Sequence, residues 1–398
     1  MKYPFQPRVL DAMPEQVAEL YRELETYLLA EICGRVRIAD NLNEVTIQDI
    51  RALRAHGIPL REIRQAIQKN AKVSKKKLDE LFDIVVARNN QYYNGVATAA
   101  KITMPEHILG AADIDAIRRQ TWSAMQNISG TMGFLYRSGG RLVVTDPAKA
   151  LWRVLDDAEA QMMSGAATYT TAIKNAVQRL ADSGIRTVDY ESGHIDQADV
   201  AVRRAVMTGI VQLNDKYTQQ SMEYLDTEYC EVSAHSGARD QPGRTPWASH
   251  KDWQGRVYYV SAHGEPDPLG KYKDLAATTG FGEVDGLEGA NCRHIRFPWV
   301  EGVSERTYTD EQLEHIDDGL GCTFEGRKYS AYEATQKQRE IERTIRKLTR
   351  RETAYKAAGL SDEATATRAK IKRLKKEYTE FSKAAHLPEQ KDRMKVIV

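Results

Sequence analysis

Three histidines and one cysteine in one stretch of the chain have side chains that could bind a metal ion. They are His235, His250, Cys292 and His294. Imidazole nitrogen and thiolate sulfur are the ligands that zinc takes in tetrahedral sites. Zinc ligand pairs more often follow CxxC or HxxxH spacing, and Cys292-x-His294 has no second close pair beside it. We therefore predict no metal or other cofactor, with these four residues as the candidates should a metal bind.

The same residues could instead form a Cys–His nucleophile pair. Cys292 would be activated by His235 or His250, as in covalent catalysis. Such sites also need an orienting group and an oxyanion hole, and the spacing indicates neither. No tight acidic cluster accompanies the histidines, although metal-dependent nucleases usually need one. We predict that the protein is not an enzyme, and keep an enzyme or toxin as the alternative.

A structural role for these loops is the favoured interpretation. Histidine and arginine side chains in glycine-rich loops often bind backbone carbonyls that no sheet satisfies. Trp253 would fill the core, and Gly255 would permit a tight turn. The predicted structural loop motif consists of His235, Gly237, Arg239, His250, Trp253, Gln254, Gly255, Asn291, Cys292, Arg293 and His294.

The elements that position these loops begin with a helical first half. Apolar residues recur there at helical spacing. Asp146-Pro147 resembles a helix start, and Leu142-Val143-Val144 a short strand. Ser74 is a candidate helix cap. The predicted helices cover 17–32, 46–56, 60–69, 74–86, 112–125, 147–162, 173–180 and 202–217.

The two short helices 46–56 and 60–69 are separated by Gly57-Ile58-Pro59. This pattern is also compatible with a small helix–turn–helix unit. Arg61, Arg64 and Gln65 would then lie on a recognition helix that contacts DNA. A plain helical hairpin is the preferred interpretation, because two-helix units with a glycine turn are common far beyond DNA-binding proteins.

The stretch from about 229 to 326 is rich in glycine, histidine and aromatic residues. Segments 230–232 and 256–260 are predicted strands, and 309–317 a short helix. The rest is predicted to be ordered loop, because its composition is not of low complexity.

The tail, residues 331–398, is helical and basic, with 18 Lys and Arg against 10 Asp and Glu. A break at 358–361 separates two helices, and the spacing of Ile371, Leu374, Tyr378, Phe381 and Ala385 predicts a coiled-coil-like seam. The cations could contact nucleic acid or an acidic face of the chain itself. These candidates are Arg343, Arg346, Lys347, Arg350, Arg351, Lys370, Lys372, Arg373, Lys375 and Lys376.

Length and composition predict a mainly helical α+β protein of two or three domains. The chain has 398 residues and a net charge of +1. We place the boundaries at 1–184 for a helical N-terminal body, 185–330 for a loop-rich α+β module with a long leading helix, and 331–398 for the basic helical arm. Four scattered cysteines indicate no disulfide framework. We expect no secretory signal and no membrane span.

Four sequence blocks in the middle of the chain carry a family resemblance. They are ADVAVRRAVMTGIVQLND, EVSAHSGARD, HKDWQGRVYYVS and GLEGANCRHIRFPWVEGVSER. In this order they resemble the phage minor capsid protein 2 family, and the tail beginning YEATQKQREIERTIRKL is similar to that family's C-terminus. More distantly, the α+β module resembles head morphogenesis proteins of the Mu F type.

The resemblance implies a structural head protein of a tailed bacteriophage. It would be made in the host cytoplasm and become part of the virion, acting in head assembly near the portal. The implied partners are the portal protein, the major capsid protein and, through the basic arm, packaged DNA. A DNA-binding protein acting through the hairpin or the tail remains a further alternative. The family brings no catalytic residues with it.

Overall fold

The structure, a computed structural model, describes residues 3–35, 60–138, 140–189, 193–241, 243, 245–261, 264–289 and 292–394. Helices predominate among them, which confirms the mainly helical α+β prediction. The helices are α1 (Pro7–Ala12), α2 (Glu15–Arg35), α3 (Leu60–Ala100), α4 (Ala111–Gly130), α5 (Pro147–Met163), α6 (Tyr169–Ser183), α7 (Ala198–Tyr224), α8 (Leu275–Thr279), α9 (Asp310–Glu314), α10 (Ala331–Ala357) and α11 (Ser361–Ala384), followed by a 3₁₀ turn at Lys391–Met394.

The strands found in the described ranges are short and form three small sheets. One sheet has the antiparallel order β2-β1-β3-β4, and a second is the β9-β10 hairpin. In the third, β5 lies between β6 and β8 and is antiparallel to both, while β7 joins β6 in parallel. The strands are β1 (Gly133–Ser138), β2 (Arg141–Thr145), β3 (Ile185–Val188), β4 (Ile195–Gln197), β5 (Tyr229–Val232), β6 (Val257–Tyr259), β7 (Lys273–Asp274), β8 (Arg296–Trp299), β9 (Cys322–Phe324) and β10 (Arg327–Tyr329).

Helix α3 is continuous where the sequence predicts two helices, 60–69 and 74–86. The prediction of Ser74 as a cap is wrong, because Ser74 is buried in the middle of α3 and its hydroxyl lies 3.3 Å from Asn70 Oδ1. Asn70 in turn donates to the Leu20 carbonyl of α2 at 2.6 Å. These polar residues therefore serve packing between helices rather than a helix end. The predicted helix 46–56 and its Gly57-Ile58-Pro59 turn lie outside the described residues.

The main hydrophobic core joins distant parts of the chain. Leu28 of α2, Phe82 of α3 and Ile210 of α7 are all fully buried in it. Tyr355 of α10 belongs to the same cluster, because the C-terminal half of α10 packs against α2 and α6. The end of α10 is thus part of the protein's main core.

Helices α10 and α11 form a hairpin with a core of its own. The break follows the prediction, because α10 ends at Ala357, Gly359 adopts a φ of 76° and α11 begins at Ser361. Ile345 of α10 packs in this second cluster with Tyr378 and Phe381 of α11. The predicted seam is therefore an intramolecular contact between the two helices.

A buried ion pair ties α10 to the helical body. Glu25 Oε2 lies 3.4 Å from Arg350 Nη1, and both side chains are 7% exposed. Glu25 also accepts a hydrogen bond from the Ile185 amide at 2.6 Å. Arg350 donates to the Ala181 carbonyl and to Gln197. Burial raises the pKa of Glu25, and the Arg350 guanidinium opposes that rise.

We expect Arg350→Met to lower the free energy of unfolding by about 3 kcal/mol, because it leaves Glu25 buried without a counter-charge. Urea denaturation at pH 7 measures this loss. The double variant Glu25→Gln, Arg350→Met should recover much of it. Arg343→Met, on the exposed side of α10, is the control and should change stability by less than about 0.5 kcal/mol. Equal losses for Arg343 and Arg350 variants would contradict the role of the pair.

Candidate functional site

Three of the four predicted metal-ligand candidates meet at one point. The sulfur of Cys292 lies 3.8 Å from His250 Nδ1 and 3.6 Å from His294 Nδ1. All three side chains are buried, and their three ligand atoms lie within 4.8 Å of one another. His235 is beside this group rather than in it, with its ring stacked on His294 at 4.6 Å between centroids.

The tautomers of His250 and His294 follow from the hydrogen-bond partners of their Nε2 atoms. Nε2 of His250 lies 3.0 Å from the Asp285 carbonyl, which can only accept, so this nitrogen donates. Nε2 of His294 lies 3.0 Å from Gln254 Oε1, which also accepts the backbone N–H of His235. Both Nδ1 atoms are then unprotonated and turn their lone pairs toward Cys292.

Burial keeps these three side chains neutral. It raises the pKa of the Cys292 thiol to about 11 and lowers the pKa of His250 to about 4. It also lowers the pKa of His294 well below its ordinary value. A catalytic cysteine acts as a thiolate. The arrangement therefore does not favour the Cys–His nucleophile that the sequence left open.

Asp285 organises the loops around the cluster, although sequence reasoning did not single it out. Its carboxylate accepts hydrogen bonds from Trp247 Nε1 and Thr245 Oγ1, each at 2.9 Å. Its carbonyl accepts from His250 and, at 3.2 Å, from Arg239. The local signal was an Asp-Gly turn at 285–286, but the contacts come from residues some 35 to 46 positions earlier.

The remaining motif residues pack around this centre. Trp253 is buried against His250 and His294, with ring centroids 4.5 and 5.0 Å away. Gly255 has a φ of 69°, and a Cβ there would lie 2.3 Å from a methyl group of Leu313. The Gly237 amide donates to Asp317 at 2.7 Å. Asn291, also in the predicted motif, lies outside the described residues.

Arg293 points to a different partner, the carboxylate of Asp11 in α1. The Arg293 guanidinium lies 3.4 Å from that carboxylate, and Arg203 and Arg393 each approach it to 2.5 Å. Burial would raise the pKa of Asp11, but the three arginines lower it to about 2. One carboxylate thus joins α1, α7, the motif loop and the C-terminal turn.

The predicted nucleic-acid residues divide into two groups. Arg350 is buried against Glu25, and Arg351 donates to Asp182 at 2.6 Å. Lys347 lies 3.7 Å from the same Asp182, and Arg346 donates to the Arg393 carbonyl. These cations at the C-terminal half of α10 are thus engaged by the chain itself.

The second group is exposed on α11 and consists of Lys370, Lys372, Arg373, Lys375 and Lys376. Lys376 lies 3.6 Å from Glu380. Among the described residues, no carboxylate lies within 4.0 Å of the other four. We call these five residues the α11 basic face. Arg343 on α10 is also exposed.

The chain combines a helical body, a loop module held together by side-chain hydrogen bonds and an outer helix with a basic face. The phage minor capsid protein 2 family matches residues 5–383, and the chain belongs to this family. A relative described as "Structural protein" of Lactococcus phage LL-H is 24% identical over 250 residues. The alignment covers 62% of this chain and 60% of that relative, so less than two thirds of the relative is matched.

No solved structure matches the chain. The family match confirms the predicted resemblance and extends it to the N-terminal helices, beyond the middle blocks and the tail that carried it. Within the described part of the chain, no helix is long and apolar enough to span a membrane.

A second buried carboxylate fastens the segment after β8. Glu231 of β5 is 1% exposed and accepts hydrogen bonds from the amide and hydroxyl of Thr307, at 2.8 and 3.1 Å. Burial raises the pKa of Glu231 to about 7, although these hydrogen bonds oppose the rise. A raised pKa in the folded state means that Glu231 stabilises the fold fully below about pH 4.5 and loses that contribution as the pH rises through about 7.

We expect Glu231→Gln to remove this pH dependence, because glutamine keeps an acceptor oxygen and does not titrate. The variant should gain about 2 kcal/mol relative to wild type between pH 5 and pH 8. Denaturant unfolding at several pH values in this range measures the difference. The exposed Glu314→Gln is the matched control and should show a constant difference. A constant difference for Glu231→Gln would refute the assignment.

Proposed function

We propose that the chain is a structural component of the phage head, located near the portal, where it contacts the portal protein, the major capsid protein or packaged DNA. The observation that carries the proposal is the family match over residues 5–383. The relative from phage LL-H, described as a structural protein, supports the same role.

The loop geometry supports a role in assembly rather than catalysis. Arg239 and His250 both donate to the Asp285 carbonyl across the loops, and Arg293 reaches the N-terminal helix. Each of these side chains is engaged in holding the fold. A module fixed in this way suits a protein that presents a rigid surface to neighbouring subunits.

The proposed site of synthesis is the bacterial cytoplasm, followed by incorporation into the virion. All four cysteines carry free thiols, and three of them are buried. Free thiols are usual in proteins made under reducing conditions.

The α11 basic face favours packaged DNA as one partner. Its cations lie on adjacent turns of one helix and are turned to solvent. Phosphates neutralise such a surface with release of counterions, which makes binding strongly salt-dependent. An acidic surface of another virion protein is the competing partner.

Fractionated virions test the proposed location. We expect mass spectrometry to find the chain in purified particles, in fewer copies than the major capsid protein, and in the head fraction after heads and tails are separated. Particles labelled through a tag on this chain should show the label at the tail-bearing vertex. Recovery of the chain in the tail fraction, or its absence from virions, would overturn the proposal.

DNA binding by the α11 basic face is tested with the full-length protein and a duplex of mixed sequence. We expect the triple variant Lys372→Gln, Lys375→Gln, Lys376→Gln to weaken binding. The slope of log K against log salt concentration should become smaller in magnitude by about 2 to 3. Fluorescence anisotropy at several salt concentrations gives this slope.

The matched control changes three exposed lysines of α3, Lys69, Lys72 and Lys76, to glutamine. This triple variant should keep most of the affinity and the slope. An equal effect of both triple variants would mean that binding does not depend on α11. No binding by wild type at low salt would leave an acidic protein surface as the partner.

A further inference from the structure

The cluster of His250, Cys292 and His294 has one proton too few for its hydrogen bonds. Both Nδ1 atoms are acceptors, since each Nε2 donates elsewhere. The thiol between them has a single proton, and it also lies 3.9 Å from the His294 carbonyl. Among the described residues, at least one of these two buried nitrogen lone pairs is therefore left without a donor, which proteins avoid.

We propose that these three side chains bind a zinc ion. A cation among them accepts the lone pairs of both nitrogens and the sulfur at once, which no arrangement of the thiol proton achieves. In a tetrahedral site with ordinary Zn–S and Zn–N bonds, sulfur and nitrogen ligands lie about 3.6 Å apart. The observed separations of 3.6 and 3.8 Å from Cys292 Sγ match that spacing.

The outer hydrogen bonds have the form expected around a metal ion. Histidine ligands usually donate their second ring N–H to a carbonyl or carboxylate, which fixes the ring. His250 donates to the Asp285 carbonyl and His294 to Gln254 Oε1. Trp253 packs against both imidazoles and limits their rotation. The two imidazole rings are thus oriented by their surroundings before a metal arrives.

Water is the proposed fourth ligand. His235 stacks on His294 and directs its Nδ1 to the Ser236 carbonyl, so it contributes packing. Binding of Zn²⁺ forms one Zn–S and two Zn–N bonds, and the thiol proton is released to solvent. No other reactant is required.

Metal analysis of the full-length wild-type protein is the first test. After exposure to zinc and gel filtration, we expect about one zinc ion per chain. With cobalt in place of zinc, we expect the visible bands of a tetrahedral ion and a near-ultraviolet thiolate-to-cobalt band. Wild type that takes up neither ion, or a cobalt spectrum without a thiolate band, would overturn the proposal even if every variant failed to fold.

Two cysteine variants then assign the sulfur. Cys292→Ala should lose the thiolate band and at least about tenfold in zinc affinity. Cys230→Ala is the matched control, because Cys230 is buried in the same hydrophobic cluster and does not belong to the ligand group. It should keep the band and the stoichiometry. A thiolate band that survives in Cys292→Ala would rule out this site.

Gln254 is a positioning residue in this proposal. Gln254→Ala should lower zinc affinity about 10- to 100-fold while the thiolate-to-cobalt band persists, because the sulfur ligand is untouched. Unchanged affinity in this variant would contradict its assigned role. The zinc proposal does not depend on where the protein lies in the virion.

Discussion

The contact on which the arrangement of the whole chain depends is the meeting of three arginines at Asp11. Compensating charge keeps this buried carboxylate ionised, and each arginine comes from a different segment. Arg203 belongs to α7, Arg293 to the motif loop and Arg393 to the C-terminal turn. Because one carboxylate contacts all three, the N-terminal helix, the loop module and the end of the arm meet at Asp11.

Helix α7 contributes residues to two hydrophobic cores and so links them. Its middle, at Ile210, lies in the main core, and Met222 near its end lies in the core of the loop module. Between them Thr218 accepts a hydrogen bond from the Tyr93 hydroxyl of α3 and donates to the Arg296 carbonyl of β8. The predicted domain boundaries at 184 and 330 remain predictions. Helices α7 and α10 each contribute residues to more than one hydrophobic cluster.

The sequence predicts features that depend on neighbouring residues. Pro147 begins α5, Gly359 ends the arm's first helix, and β5 and β6 lie where β-branched and aromatic residues indicated. Prediction fails where contacts between residues far apart in the sequence determine the structure. Strands such as β8 exist because β5 pairs with them across some sixty residues, and Asp285 matters only through residues that reach it from another loop. The sequence shows that the tail is basic, but it does not show which of its cations are paired within the chain. In the structure, Glu25 and Asp182 pair with cations of α10, while the cations of the α11 basic face are exposed.

Neighbouring side chains of the segment Cys292-Arg293-His294 make contacts at two separate places in the structure. Successive side chains of an extended segment point to opposite sides. Cys292 and His294 therefore face inward and meet each other at 3.6 Å, while Arg293 between them faces Asp11. The single intervening residue thus contacts the ion-pair centre that joins the segments, while its two neighbours belong to the buried cluster of the loops.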